Sequence, residues 1–471
     1  MRPMQKKERI LWIIALSIFV ILWIFSSTGV LRIGKADDDL YKDLRLFDTI
    51  LSLVQTTYVD KPNSRDLIYG AIDGMLASLH DPYTRFIRSK GYEELNIETK
   101  GKFGGVGFVI TIRDGVLTVV TPIDGTPAAR AGIKPNDKII KINNTITKNM
   151  KLDEAVSKLR GKPGTEVTLY IERDGEPDLI KIKIKREIIN IKSVLANEID
   201  YKGKKIGYIK IKSFAENTIN ELEKILKKYD KEKLDGLILD LRNNPGGLLY
   251  SAWKVADFFL DKGLIVYTKG RIPSQNKKYY ASSIDYCHNV PMIILANGGS
   301  ASGSEIVIGA LKDNKRAIIV GEKTFGKGVV QSVRELGENR AVAITTARYY
   351  TPSGVCIHKK GIKPNIEVKP PVLSKKDVEV VEKILKGKYI DKFFKEHSNF
   401  IKLKKDKQKK LIEDLVKNLS SKGINADYNI VRRLVKMRAY EGEEMNKAII
   451  DLEDDVQLKR AVELLRVQDR L

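Results

Sequence analysis

Cysteine and histidine are scarce in this chain of 471 residues. The two cysteines, Cys287 and Cys356, make no disulfide framework, although an exported protein could pair them. A serine hydrolase of the commonest kind needs a histidine with an acidic partner, and no histidine in this chain has a telling one. There are only four histidines: His80, His288, His358 and His397. The sequence therefore argues against a disulfide-rich domain and against a Ser-His-Asp triad.

The chain also lacks any motif typical of DNA- or RNA-binding proteins, although it is strongly basic. It carries 84 Lys and Arg residues against 60 Asp and Glu residues, which gives a net charge of +24 and a pI near 9.6. The lysines are spread along the chain. This pattern favours a solvated basic surface that is attracted to anionic membranes, and no nucleic-acid partner is expected.

The N-terminus contains a long uncharged run, Ile10–Leu31, which follows four basic residues. As a helix of 22 residues it would measure about 33 Å, enough to cross a bilayer. The positive flank is expected in the cytoplasm and the rest of the chain outside it. A cleaved signal peptide, leaving a secreted or periplasmic protein, is the alternative: no A-x-A-like cleavage site is obvious, but the residues of Ser26–Gly29 are small. The sequence predicts a single-pass membrane anchor.

Changes of pattern along the chain predict an α/β core with an inserted small β-barrel that carries two helices, flanked by helical segments. The C-terminal region is interpreted either as a solvated helical appendix or as a dimerisation element. The expected regions are a basic flank and transmembrane anchor over 1–36, a helical arm over 37–98, the small barrel over 99–188, the α/β core over 189–372 and a helical region over 373–471.

A glycine-rich stretch, Gly104-Gly105-Val106-Gly107-Phe108, precedes the first strand of the small barrel. Such a loop can point successive backbone N–H groups into one concavity, where a peptide carboxylate is held while the peptide adds to the sheet edge. Together with "TPAARAGIKPNDKIIKINN" from Thr126, this stretch resembles a PDZ domain. The resemblance implies that the ligand is a free protein C-terminus, bound at Gly105, Val106, Gly107 and Phe108.

A second glycine-rich stretch, GEKTFGKGVVQS from Gly321, has the spacing of a phosphate-binding loop. Such a loop needs Ser or Thr after its lysine and a helix behind it. Here Gly328 follows Lys327, and the next residues form a β-branched run that predicts a strand. A nucleotide-binding protein is therefore disfavoured, and Lys327 is a candidate for acid/base chemistry instead.

Two loops of the α/β core also carry candidate chemistry. The stretch LDLRNNPGG, which ends at Gly246-Gly247, could bring bare N–H groups to a substrate carbonyl. The stretch ANGGSASGSEI contains three serines, and glycines around the turn fit a nucleophile at the start of a helix. Each loop can also be interpreted as an ordinary turn or helix cap. With histidine disfavoured, the serine–lysine variant of the nucleophile–base pair remains.

These stretches, with TTARYYTPSG downstream and the small barrel in place, resemble the C-terminal processing peptidases, also called tail-specific proteases. The resemblance implies that Ser302 is the nucleophile, that Lys327 is its base and that Gln331 orients the lysine. The oxyanion donors are then the N–H of Gly303 and one from Gly246 or Gly247. Alternation along a strand would point Lys327 and Gln331 the same way. Family members usually carry alanine where this chain has Gly303.

This chemistry requires a neutral lysine, so the pKa of Lys327 must fall from about 10.4 to about 7, which burial can achieve. No metal or organic cofactor is then needed. The resemblance further implies protein or peptide substrates with free C-termini, gating by the PDZ domain and a homodimer formed through terminal helices. A non-catalytic PDZ scaffold on a peptidase-like fold is the alternative, and the intact Ser302, Lys327 and Gln331 argue against it.

Overall fold

The computed structural model describes residues 38–397, 399–441 and 448–467. The predicted membrane segment, Ile10–Leu31, lies outside these residues. Within them, every helix is too short or too polar to cross a bilayer. The chain divides into two compact units, one ending at Phe86 and the other beginning at Ile87.

The first unit consists mainly of two helices, as the apolar periodicity predicts. They are α1 (Asp38–Thr57) and α2 (Ser64–Ala77), and the short strand β1 (Arg85–Ile87) follows. Helix α2 begins where the side chain of Asn63 accepts a hydrogen bond from the Arg65 N–H at 3.0 Å. A turn follows α2, with the Asp81 carboxylate accepting the Tyr83 N–H at 3.1 Å.

The second unit opens with α3 (Ser89–Lys100) and contains the small barrel. A five-strand path in the order β3-β4-β5-β7-β8 forms its sheet, with β6 beside β5, while β2 pairs antiparallel with β9. Its hydrophobic core includes Val119, Ile139 and Leu169. The elements are β2 (Lys102–Gly105), β3 (Phe108–Arg113), β4 (Val116–Pro122), α4 (Pro127–Arg130), β5 (Lys138–Ile142), β6 (Thr145–Ile146), α5 (Leu152–Leu159), β7 (Glu166–Glu172), β8 (Ile180–Lys185) and β9 (Glu187–Asn190).

The α/β core is built on a six-stranded sheet in the order β10-β11-β12-β17-β18-β21. All neighbours pair in parallel except β10 and β11. A second sheet contains β20 between β14 and β19, with β15 beyond β14. The elements are β10 (Val194–Tyr201), β11 (Lys204–Ile211), α6 (Thr218–Glu232), β12 (Gly236–Asp240), α7 (Leu249–Asp257), β13 (Phe259–Leu260), β14 (Leu264–Gly270), β15 (Lys278–Tyr280), β16 (Ile284–Asp285), β17 (Met292–Ala296), α8 (Gly303–Asp313), β18 (Ile318–Gly321), β19 (Val329–Gly337), β20 (Arg340–Tyr350) and β21 (Ile366–Glu367).

Both faces of the parallel sheet are buried, which explains why its strands are continuously hydrophobic. Leu237 and Leu239 contribute to the cluster that includes residues of α6, α7 and α8, and Ile238 contributes to the cluster on the opposite face. Loops at the carboxyl ends of these strands meet the N-termini of the helices. That edge is where active sites of such folds form.

The C-terminal region is helical, as predicted, but it is not a single appendix. Four of its helices share a separate hydrophobic cluster, whereas the last helix packs on the parallel sheet through residues such as Leu458 and Val462. The interpretation of the whole region as a solvated appendix is therefore wrong for its last helix. The elements are α9 (Lys375–Lys386), α10 (Tyr389–Glu396), α11 (Lys405–Ser421), α12 (Tyr428–Ala439) and α13 (Val456–Val467).

Candidate active site

Ser302 lies at the start of α8, at the end of a loop that follows β17. We call residues 297–305 the serine loop. Ser302 has φ 53° and ψ −112°, a positive-φ conformation outside the left-handed helical region that is strained for a residue with a side chain. It is partly buried, whereas the neighbouring Ser300 and Ser304 are fully buried. Such local strain is typical of a residue that is held in place for chemistry.

The other two serines fix the serine loop to residues 240–247, which we call the glycine loop. The Ser300 hydroxyl donates to the carbonyl of Leu241 at 2.8 Å, and the Ser304 hydroxyl donates to that of Asn244 at 2.9 Å. The two loops also exchange hydrogen bonds between Asn243 and Asn297. The flanking serines are therefore structural, and they hold the glycine loop beside Ser302.

Two glycines of this loop are tightly packed, Gly246 against Ser302 and Gly247 against the backbone of Phe214. At Gly246 an added Cβ would lie 2.7 Å from the Ser302 Cβ, and at Gly247 it would lie 2.3 Å from the Phe214 carbonyl oxygen. Both glycines have positive φ, 104° and 145°. The Gly246 N–H donates to the Asn244 Oδ1 at 2.9 Å, so the arrangement favours Gly247 as the oxyanion donor from this loop. Only glycine fits at these two positions.

Lys327 belongs to residues 322–328, the lysine loop, and lies two residues before β19. Its Nζ donates to the Gln331 Oε1 at 3.2 Å, and its side chain is partly buried. Alternation along a regular strand would place this pair on one face. Instead, Lys327 precedes the strand, and the register shifts between Val330 and Gln331. The two side chains therefore meet across an irregular stretch of backbone rather than through regular strand alternation.

Glu305, which the sequence analysis did not single out, connects the serine loop and the lysine loop. Its Oε2 accepts the N–H of Ser302 at 2.9 Å and the N–H of Lys327 at 2.8 Å. Its Oε1 accepts from the Thr324 hydroxyl at 2.6 Å and from the Gly326 N–H at 2.7 Å. Burial raises the pKa of this carboxyl, and the donors oppose the shift. The S-x-x-E pattern of a capping box could have predicted the bond to Ser302, but not the bonds to the lysine loop.

These contacts also exclude the phosphate-binding interpretation of Gly321–Lys327. The backbone N–H groups of Gly326 and Lys327, which a phosphate would need, are donated to Glu305. The residues that follow Lys327 lead into β19 rather than into a helix. An anion placed here would face a buried carboxylate.

The predicted carboxylate-binding loop of the small barrel lines a cavity of about 580 Å³. Thr126 fixes the loop by donating from its hydroxyl to the Gly107 carbonyl at 2.7 Å. At Gly107, with φ 85°, an added Cβ would lie 2.3 Å from Thr126. Gly105, Val106, Gly107 and Phe108 all lie at the cavity, together with Val156 and Leu159 of α5 and with Lys192 and Glu221 of the α/β core. The cavity thus borders both parts of the second unit.

Comparison with known proteins tests the two family resemblances that the sequence motifs suggest. A model of peptidase family S41 matches residues 205–368, a PDZ domain model matches residues 94–172, and a model described as the activating protease CtpB N-terminal domain matches residues 26–90. The first two matches coincide with the parallel sheet and with most of the small barrel.

Individual relatives match over most of the chain. The chain is 42% identical over 382 residues to the carboxy-terminal-processing protease of Bartonella bacilliformis, with 79% of this chain and 87% of that protein covered. It is 36% identical over 387 residues to the carboxyl-terminal-processing protease of Synechocystis, with 79% and 90% covered. Among solved structures, the photosystem II D1 C-terminal processing protease is 33% identical, covers 71% of this chain and 95% of its own, and gives a TM-score of 0.41.

Proposed function

Since the chain belongs to the carboxy-terminal processing proteases of peptidase family S41, which are serine-type endopeptidases, we propose that it cuts proteins near their C-termini with a Ser302–Lys327 dyad. One observation supports the dyad most strongly. The same oxygen of Glu305 accepts the backbone N–H of both residues. The backbone nitrogens of Ser302 and Lys327 can therefore be no farther apart than the sum of those two hydrogen-bond lengths, and this closeness supports a pairing of the two residues.

In the proposed mechanism a neutral Lys327 takes the proton from the Ser302 hydroxyl as its oxygen attacks the scissile carbonyl. The N–H groups of Gly303 and Gly247 stabilise the negative oxygen of the tetrahedral intermediate. The protonated lysine then gives its proton to the leaving amine, and an acyl-enzyme forms. Lys327 next activates a water that hydrolyses the ester and releases Ser302. Gln331 holds the lysine amine between these proton transfers.

The PDZ domain is proposed to bind the C-terminus of the substrate. Its cavity is lined mainly by apolar side chains beside the loop Gly105–Phe108, which suits an apolar tail that ends in a carboxylate. Lys192 and Glu221 of the core also line this cavity, so an occupied groove can contact the catalytic part directly. This arrangement supports gating of the catalytic site by the bound tail.

We also propose that residues 10–31 anchor the protein in the cell membrane, with the catalytic part outside the cytoplasm. Alkaline extraction of membranes would release the protein if that segment were cleaved. A homodimer is proposed as well, because α1 exposes apolar residues such as Leu44, Phe47 and Ile50. Sedimentation of the solubilised full chain would show monomers if this were wrong.

The test of the proposed activity compares wild type with Ser302→Ala on a protein that has an apolar C-terminal tail. Wild type should shorten the tail, and the variant should bind it without cutting. Binding without cutting by both proteins would support the scaffold alternative. Cutting by both would show that Ser302 is not the nucleophile.

A further inference from the structure

The glycine loop contains an arginine that lies at the centre of a buried network. The guanidinium of Arg242 donates to Asp240, which precedes it by two residues, and to Asp455, which lies directly before α13. The Nη1 atom reaches the Asp455 Oδ1 at 2.8 Å, and Nη2 reaches the Asp455 Oδ2 at 2.7 Å. This bidentate geometry fixes the orientation of an arginine as well as its position.

The network is well satisfied, which makes it rigid. Nη1 of Arg242 also donates to the Gln457 Oε1 at 3.1 Å, and Asp240 accepts the Tyr208 hydroxyl at 2.6 Å. The Asp240 side chain is 1% exposed and that of Arg242 15%. Burial alone would lower the pKa of Arg242, but the Asp240 and Asp455 carboxylates raise it above its ordinary value. A buried charge of this kind stays in place only while its partners remain.

Asp455 is itself held firmly. Its Oδ1 accepts the Leu458 N–H at 2.9 Å at the start of α13. The neighbouring Gln457 donates to the Val368 carbonyl at 2.7 Å. Helix α13 packs on the parallel sheet through Leu458, Ala461, Val462 and Leu465. The Asp455 carboxylate is therefore held in a fixed position, and Arg242 connects the glycine loop to it.

The ion pair between Arg242 and Asp455 lies close to the proposed oxyanion donors. Asn244, two residues after Arg242, donates from its side chain to the Ile211 carbonyl and accepts the Gly246 N–H. Its own carbonyl accepts the Ala301 N–H at 3.0 Å. If Arg242 moved, the glycine loop would move with it. The hydrogen bonds of Asn244 would then transmit this movement to Gly246, Gly247 and the serine loop.

We propose that Asp455 is a positioning residue that acts through Arg242 to hold the glycine loop in its catalytic geometry, so that the last helix of the chain contributes to the chemical step. This inference depends on the proposed mechanism, in which the glycine loop supplies an oxyanion donor. An asparagine at 455 keeps the shape but supplies one acceptor oxygen instead of two. Arg242 then loses part of its support, and the oxyanion donor shifts.

The test compares Asp455→Asn with Glu453→Gln in the full-length protein, using a tailed protein substrate. Glu453 is the matched control, because it is an acidic residue of the same segment that pairs with Lys436 rather than with Arg242. We expect kcat to fall by about 10-fold in Asp455→Asn with KM within about 2-fold, somewhat less than the loss of a whole oxyanion donor. Affinity for a peptide boronate, which mimics the tetrahedral intermediate, should fall by the same factor. Asp455→Glu should recover part of both losses.

Each outcome decides the question. The inference would be overturned if Asp455→Asn had the same kcat per titrated active site as Glu453→Gln. It would also be overturned if the activity of Asp455→Asn fell only by the fraction of protein that a melting curve shows to be unfolded. An equal loss of affinity for substrate and boronate would also overturn it, because the residue would then act on binding. Ser302→Ala is measured alongside. If that variant still cuts, the proposed mechanism fails, whereas an inactive Ser302→Ala with a normal Asp455→Asn removes only this inference.

Discussion

The catalytic site and the PDZ cavity lie in the same unit but are built in opposite ways. Four polar side chains around the catalytic site are at most 1% exposed, and each one has hydrogen-bond partners. They are Asp240, Ser300, Ser304 and Glu305. Around the cavity, most of the lining side chains are apolar, beside the loop Gly105–Phe108. Buried polar groups impose one geometry, as a chemical step requires, whereas an apolar groove accepts many tails. Changes at the catalytic site should therefore alter kcat, and changes in the cavity should alter KM.

The largest effect is expected from Lys327→Arg. The side chain stays long and basic, but a guanidinium does not lose its proton and cannot serve as the base. Turnover should fall by roughly 10⁴-fold or more, as for other nucleophile–base systems. Steady-state cleavage of a tailed substrate checks this, with a melting curve to confirm folding. Substantial turnover in this variant would remove lysine from the mechanism.

A smaller but still large effect is expected from Glu305→Gln. Four donors converge on this carboxylate, and an amide offers only one acceptor oxygen, so at least one buried N–H would face an NH₂ group. An unsatisfied buried group costs about 1–3 kcal/mol, and we expect kcat to fall by about 10²-fold. Glu322→Gln, on the lysine loop, is the matched control. Similar kcat values for the two variants would show that Glu305 does not align the dyad.

The cavity is expected to respond differently. Val156→Glu places a negative charge in the apolar groove, where it would repel the tail carboxylate, and KM for a tailed substrate should rise by about 10-fold, or 1.4 kcal/mol. Ser157→Glu adds the same charge at an exposed position of α5 and should leave KM unchanged. An unaltered KM in Val156→Glu would contradict tail binding at this cavity. A fall in kcat would instead indicate that tail binding gates the chemistry.

The smallest effect is expected from Gly303→Ala, which restores the residue usual in the family. The new Cβ would lie 3.0 Å from the Phe214 ring and 3.2 Å from the Ala252 Cβ, a tight but not prohibitive fit. Alanine also favours the helix by about 0.5–1 kcal/mol. The two effects oppose each other, so kcat should change by less than about 3-fold. A loss as large as that of Glu305→Gln would mean that the contact with Phe214 controls the oxyanion geometry.

The sequence predicted those features that depend on short stretches. Glycine spacing, strand patterns and the motifs around Ser302 and Lys327 were sufficient to select the loops that the structure brings together and the PDZ loop that lines the cavity. The role of Glu305 was missed because its partners Thr324, Gly326 and Lys327 lie about twenty residues away, in another loop. Asp455 was missed for the same reason, since 213 residues separate it from Arg242.

Local irregularity was a second limit. Strict strand alternation predicted the right pair, Lys327 and Gln331, for a reason that does not hold, because Lys327 precedes the strand and the pairing register shifts next to Gln331. Such a shift depends on the partner strand β20 rather than on the sequence of β19 alone. The packing of α13 on the sheet was likewise beyond prediction, because an amphipathic helix does not reveal which surface it covers.

The most direct test of the dyad is the pH dependence of covalent labelling at Ser302 by a serine-reactive fluorophosphonate, with the modified residue identified by mass spectrometry. In wild type the labelling rate should rise with pH along a single ionisation, since only the uncharged amine can accept the hydroxyl proton. Lys327→Arg should not be labelled at any pH at which it remains folded. Equal labelling of the variant, or modification of a residue other than Ser302, would contradict the account.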